Sequence, residues 1–194
     1  AISGHDTVRV FYVASNADLT LSNLVIANGL SDEGAGVYNE GSVTAVNCTF
    51  TGNSVTGEAG SDLAYESSPG NPGSDGYGGA VWNSGNFRFS GCTFAGNTAV
   101  GGAGGQGASA EIVWVYNPDG YPGGPGGDGV GGAVFNCGTA SLVNCTLVSN
   151  TNIGGIGGPG GPAYFINPDY PPPSAGPDGA PGLSVGAIYN TGSL

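Results

Sequence analysis

The 194-residue sequence is poor in what most soluble proteins use at their surfaces: two basic residues (Arg9 and Arg88), one histidine, and charged residues at only 8%, where ordinary domains carry about 25%. With fourteen acidic residues the net charge is −12. That removes the positive footprint needed to hold a phosphate backbone or an anionic lipid surface, so nucleic acid is not an expected partner. No stretch approaches the roughly 20 apolar residues of a membrane span, so membrane insertion is not expected either. The four cysteines show no CxxC spacing, which leaves no sequence framework for a metal. There is no methionine, and Ala1-Ile2-Ser3 lacks the basic and apolar regions of a signal peptide. The expectation is a processed chain or a fragment of a longer one, extracellular or displayed at a cell surface.

Catalysis is short of material. A polysaccharide lyase needs cations to stabilise a carbanion, and Arg88 lies between Phe87 and Phe89 at an outward strand position. His5 has no evident serine, cysteine or metal partner. Paired carboxylates for glycoside hydrolysis stay open, since sequence spacing does not exclude them. The chain is expected not to be an enzyme.

What the sequence has in abundance is glycine, 41 residues, with 13 prolines, yet 39% of residues are hydrophobic and no strict Gly-X-Y period runs through it. Collagen and simple disorder therefore do not fit. Internal repetition does. Gly34-Ala35-Gly36-Val37-Tyr38-Asn39, Gly79-Ala80-Val81-Trp82-Asn83, Gly132-Ala133-Val134-Phe135-Asn136 and Gly186-Ala187-Ile188-Tyr189-Asn190 are versions of one phrase. A second follows the first three: Asn47-Cys48-Thr49-Phe50-Thr51-Gly52-Asn53, Gly91-Cys92-Thr93-Phe94-Ala95-Gly96-Asn97 and Asn144-Cys145-Thr146-Leu147-Val148-Ser149-Asn150. Asn23 to Asn28 is a diverged copy.

Between these phrases the pattern alternates with period two, as in Leu19-Thr20-Leu21 and Phe87-Arg88-Phe89. Short half-buried strands that repeat as a unit unable to close its own core predict an all-β fold, a parallel β-helix of about four coils forming one domain over residues 1–194. Equivalent residues then stack. Cys48, Cys92 and Cys145 form one interior ladder, and Phe50, Phe94 and Leu147 another, with Thr49, Thr93 and Thr146 outside. Asn39, Asn83, Asn136 and Asn190, and separately Asn53, Asn97 and Asn150, are expected turn ladders whose amides bond from coil to coil.

The phrases Gly-Gly-Ala-Val, ending at Val81 and Val134, and Phe-x-x-Asn, from Phe50 to Asn53 and Phe94 to Asn97, resemble the repeats of the polymorphic outer-membrane proteins and related bacterial surface β-helices. The resemblance covers the coil segments, about half the chain. It implies a right-handed parallel β-helix at a cell surface, often in adhesion. The β-barrel translocator of that family has no counterpart here, nor are the long Gly-rich insertions part of its short repeat.

Those insertions run at about 54–77, 98–130 and 151–185. Glycine at intervals of three with interspersed proline favours polyproline II, so the arms are expected to stack as a second layer. Their apolar tips include Trp114, Tyr116, Tyr164 and Phe165. Asp75, Asp128 and Asp178 each precede glycine and are expected to form local Asx turns. No cofactor is expected; calcium would require oxygens converging around residues such as Asp119 and Asp128. Cys137 sits in a turn, outside the cysteine ladder, and Asn47-Cys48-Thr49 and Asn144-Cys145-Thr146 fit the N-glycosylation sequon.

The terminal segments carry the expected function. Val8, Val10, Phe11, Tyr12 and Val13 at one end and Ile188, Tyr189 and Leu194 at the other read as uncapped edges, which calls for self-association head to tail into an extracellular structural fibre. The alternative is an adhesin or carbohydrate-binding module that holds glycans on its aromatic tips. Ice binding, from the outward threonine row, is a third reading.

Overall fold

The computed structural model describes residues 1–62, 68–110, 119–163 and 168–194. Among these there is no helix, and every strand is two to five residues long. All strand pairs are parallel, and they assemble into five sheets. A repeat visits them in a fixed order. Taking one repeat as the example, Val37–Asn39 lies in the first sheet, Ser42–Val46 in the second, Thr49–Thr51 in the third, Ser54–Thr56 in the fourth and Gly76–Tyr77 in the fifth. The chain then returns to the first sheet at Val81–Asn83, directly beside Val37–Asn39.

Register follows the repeated phrases. Val37, Val81, Val134 and Ile188 are neighbours across the first sheet. Ile26, Phe50, Phe94 and Leu147 are neighbours across the third. Period-two alternation puts Val43 and Ala45, then Phe87 and Phe89, inside, while Arg88 is exposed. The interior contains Phe50, Phe87, Phe89 and Phe94, all essentially inaccessible, with the Phe50 and Phe94 rings stacked 4.9 Å apart. Burying each ring contributes about 1.5–3 kcal/mol. Cys48 and Cys92 belong to this core and Cys145 packs against it, and all three thiols are free.

Corners between sheets need a left-handed residue, and the sequence supplies the residue types that tolerate one. One corner column is Asn23, Asn47, Gly91 and Asn144, with φ of 54°, 52°, 62° and 52°. Both asparagine ladders form. Asn39 Nδ2 donates to Asn83 Oδ1, Asn83 to Asn136 and Asn136 to Asn190, each at 2.6 Å. Asn53 Nδ2 donates to Asn97 Oδ1, and Asn97 to Asn150, each at 2.9 Å. Asn39, Asn53, Asn83, Asn97 and Asn136 are fully buried, and no buried side-chain nitrogen or oxygen among the described residues lacks a partner.

The insertions are shorter than their sequence boundaries. Ser54–Thr56, Thr98–Val100 and Thr151–Ile153 are strands of the fourth sheet, and Gly76–Tyr77, Gly129–Val130 and Ser184–Val185 form the fifth, because these residues still pair with the adjacent repeat. What remains is a pair of extended arms per insertion. Their backbone bonds recur every third residue, the period of a polyproline II turn. Gly101, Gly104 and Gly107 donate to Ile153, Ile156 and Pro159 of the next insertion, and Gly102 and Gly105 donate to Ser74 and Asn71 of the previous one. Proline occupies the positions whose carbonyl accepts but whose N–H has no partner to find, as at Pro122, Pro125 and Pro177.

The spacing of the arms leaves no room for Cβ. One built on Gly123 would lie 1.9 Å from the Gly158 carbonyl oxygen. Gly123→Ala is therefore expected to cost about 1–3 kcal/mol or more through overpacking, read as a lower urea midpoint and new proteolytic cuts in 119–163. Ala103→Ser, at a half-exposed position, should stay within about 0.5 kcal/mol of the parent. Asn83→Ala should cost about 1–3 kcal/mol, because it removes the donor to the buried Asn136 Oδ1 and to the Thr139 carbonyl and one of the acceptors of Asn39 Nδ2, while Asn190→Ala at the exposed end of the same ladder should cost less than about 1 kcal/mol.

Candidate functional site

The outward positions of the first sheet carry a row that the sequence reading did not assemble: Tyr12, Tyr38, Trp82, Phe135 and Tyr189. Neighbouring rings stack with centroids 5.5, 4.2, 6.3 and 5.6 Å apart along the row. The signal was the aromatic after Val or Ile in each Gly-Ala-Val phrase; only the register made it a surface. The Arg9 guanidinium lies 4.7 Å from the Tyr38 ring centroid, a cation–π contact. It is held there by the Glu33 carbonyl at 2.8 Å and Ser31 Oγ at 2.7 Å, while its 3.4 Å ion pair with the exposed Asp32 adds little.

Beside this row, where the fifth sheet meets the return arms, runs a groove. One part, about 500 Å³, is lined by Asp32, Glu33, Glu58, Ser74, Asp75 and Tyr77. The other, about 420 Å³, shares Asp75 and Tyr77 and continues past Asp128, Phe135, Leu183 and Tyr189. Tyr77 Oη donates to Asp75 Oδ2 at 2.5 Å, which pushes the phenol well above its ordinary range. Burial, then the neighbouring Asp32 charge, pushes the Glu33 carboxyl up, whereas the Ser31 hydroxyl holds that of Asp32 down.

The aspartates expected to form Asx turns bond from arm to arm instead, Asp75 and Asp128 to the next insertion and Asp178 within its own. Asp75 Oδ1 accepts the Asp128 N–H at 2.7 Å, and Asp128 Oδ1 accepts the Leu183 N–H at 2.7 Å. Asp178 Oδ1 accepts the Gly160 N–H at 2.9 Å. An aspartate on one arm thus takes the N–H of the arm packed beside it, and no local turn is needed. Asp119 is engaged by the Ser174 N–H and hydroxyl, which lower its pKa. Asp119 and Asp128 are nine residues apart on one extended arm, about 28 Å at 3.1 Å per residue, and do not converge on an ion. Among the described residues no group of three His, Cys, Asp or Glu side chains is placed to hold a metal.

The remaining predicted site residues lie as follows. Val8, Tyr12, Tyr189 and Leu194 are exposed, and Val10, Phe11 and Ile188 are half-buried. Val13 is 4% exposed and belongs to the core, because the strand's alternation turns it inward. Trp114, Tyr116, Tyr164 and Phe165 lie outside the described residues. Cys137 is exposed, with its thiol toward the Asn83 carbonyl at 3.4 Å. Thr49 and Thr93 are half-buried and Thr146 exposed, in register on the third sheet.

Comparison with known proteins adds no relative: no family model, no curated protein and no solved structure matches this chain significantly.

Glu33 sets a pH test. Its folded-state pKa is raised, so the stability it contributes is present below its unfolded pKa and is lost as pH rises through the folded value. Glu33→Gln should therefore raise the urea midpoint relative to the parent at pH 7 and lose that advantage by pH 3.

Proposed function

We propose that the chain is a right-handed parallel β-helix serving as a structural building block of an extracellular or cell-surface fibre, its copies stacked end to end. The right hand follows from parallel strands joined by crossovers, which take that hand in nearly all cases. The observation that carries the assembly is the state of the two end faces. At one, Leu142, Cys145, Leu147 and Ile188, which point inward, are only partly covered, and Val143, Val148 and Ile153, at outward positions of the same end strands, are 47–52% exposed. At the other, Val8 is 58% and Ile2 39% exposed, while Phe11, Leu19 and Leu24 are partly covered. Each sheet also ends in a strand with one open backbone edge. A second copy supplies backbone partners and apolar cover to the end strands of the first and third sheets, by strand addition.

The contact is heterologous, so it propagates into a filament unless the rotation closes it into a ring. The non-catalytic reading is supported by Asp75, Asp119, Asp128 and Asp178, whose carboxylates accept backbone N–H groups of neighbouring arms. A glycan-binding adhesin is the other reading, but the stacked rings of the first sheet turn their faces to one another. Their support for sugar stacking is confined to the outer faces of Tyr12 and Tyr189.

Light scattering and negative-stain microscopy across concentration test the proposal. Filaments are expected, with growth abolished by Leu147→Lys while the β spectrum is retained. A monodisperse monomer at every concentration would sink it.

A further inference from the structure

The Gly-rich layer behaves differently from the β-helix it accompanies, and the difference lies in which glycines are replaced at its two faces. Three kinds of glycine occur along the arms. The first faces the partner arm of its own insertion: a Cβ on Gly57 would meet Ser74 O at 2.0 Å, one on Gly101 would meet Gly127 O at 1.9 Å, and one on Gly154 would meet Gly182 O at 2.0 Å. This column is glycine in all three insertions.

The second kind faces the preceding insertion. A Cβ on Gly102 would meet Glu58 O at 1.9 Å, and one on Gly155 would meet Gly102 O at 1.9 Å; Gly124 and Gly127 are similarly set against Asn71 and Ser74. In the first insertion the aligned residues are Glu58, Ser61, Asn71 and Ser74, all exposed side chains.

The third kind faces the following insertion. A Cβ on Gly120, Gly123 or Gly126 would lie 1.9–2.1 Å from Gly161, Gly158 or Gly155 O. In the last insertion the register Gly129↔Ser184 aligns these with Ala175, Asp178 and Pro181. One of these substitutes, with Ser184 opposite Gly129, also satisfies the outermost amides: Asp178 Oδ1 accepts from Gly160 N–H at 2.9 Å and Ser184 Oγ from Gly154 N–H at 3.1 Å. Pro181 has no N–H to leave open.

Beside the coils, the middle insertion keeps glycine at the positions that face a neighbouring arm and gives it up only toward the tip, at Ala108 and Tyr121, whereas the two outer faces carry side chains at the corresponding positions. A further insertion cannot stack on either face without driving side chains into backbone. The β-helical end faces show the opposite, uncovered apolar residues and open strand edges.

We infer, resting on the end-to-end reading above, that the Gly-rich layer is a closed unit of six arms, and that a second copy docks through β-helical coils alone. The coils that would arrive are suited to this. The connections from Ser3 to Phe11 and from Ser31 to Val37 carry no insertion. Docking in continued register sets the second copy's Ser3 beside Val148 and its Tyr12 beside Tyr189, extending the ladders already present. Each copy then advances the fibre by five coils, about 24 Å at roughly 4.8 Å per coil, two of them bare of the Gly-rich layer.

The test uses the full chain in a Cys137→Ser/Cys145→Ser background. Ser3→Cys with Val148→Cys should give a reducible ladder of multimers on mild oxidation, since paired strands place Cα atoms within disulfide range. Ser61→Cys with Asp178→Cys, which would face each other only if Gly-rich layers stacked between copies, should give none, and filaments should show the axial repeat of about 24 Å. Multimers from the second pair, or filaments without cross-links from the first, overturn the inference and leave assembly standing. Absence of any filament in the parent overturns the end-to-end reading and the inference with it.

Discussion

Backbone hydrogen bonding at one fixed spacing is the constraint on which the rest of this structure depends. In the sheets and in the Gly-rich layer alike, a peptide N–H of one repeat meets a carbonyl of the next. Parallel pairing in strict register means that any side chain is stacked on its equivalent, so each column must contain residues that tolerate self-stacking. Aromatic rings, thiols and primary amides do. An asparagine amide carries both donors and acceptors, so a column of them satisfies itself while buried, where an unpaired polar group would cost about 1–3 kcal/mol.

The Gly-rich layer takes the same constraint further. Its arms approach on several sides, so backbone meets backbone where Cβ would stand. Glycine is needed for space more than for backbone freedom, since few of these positions have positive φ. Proline fits where only a carbonyl is required. Glycine loses more conformational entropy on ordering than any other residue, and the dense network of N–H···O bonds between arms is what offsets that loss.

Much of this was legible in the residues. Repeated Val, Phe and Asn phrases gave the register directly, because in a parallel stack identical residues are neighbours. The paired insertions and their period of three were also visible. Less visible was the aromatic row of Tyr12, Tyr38, Trp82, Phe135 and Tyr189, whose members differ in type and alternate with core residues. Asp75 and Asp128 looked like turn residues because Asp-Gly is a local signal, yet their partners lie more than fifty residues away. Val13 read as an edge residue from its position in the chain, but the pleat turned it inward.

The sequence by itself determined which residues stack on which, since the columns are written as repeats and stacking needs only parallel register. It also marked the boundaries of the Gly-rich layer, in the exchange of glycine for Glu58, Ser61, Asp178 and Pro181, although nothing in one dimension says what those exchanges mean. Only the tertiary structure decided which glycines face their own insertion and which face another, and where the acidic groove runs beside the aromatic row. Those facts depend on how laps of unequal length, 44, 53 and 54 residues between aligned valines and Ile188, come side by side in space.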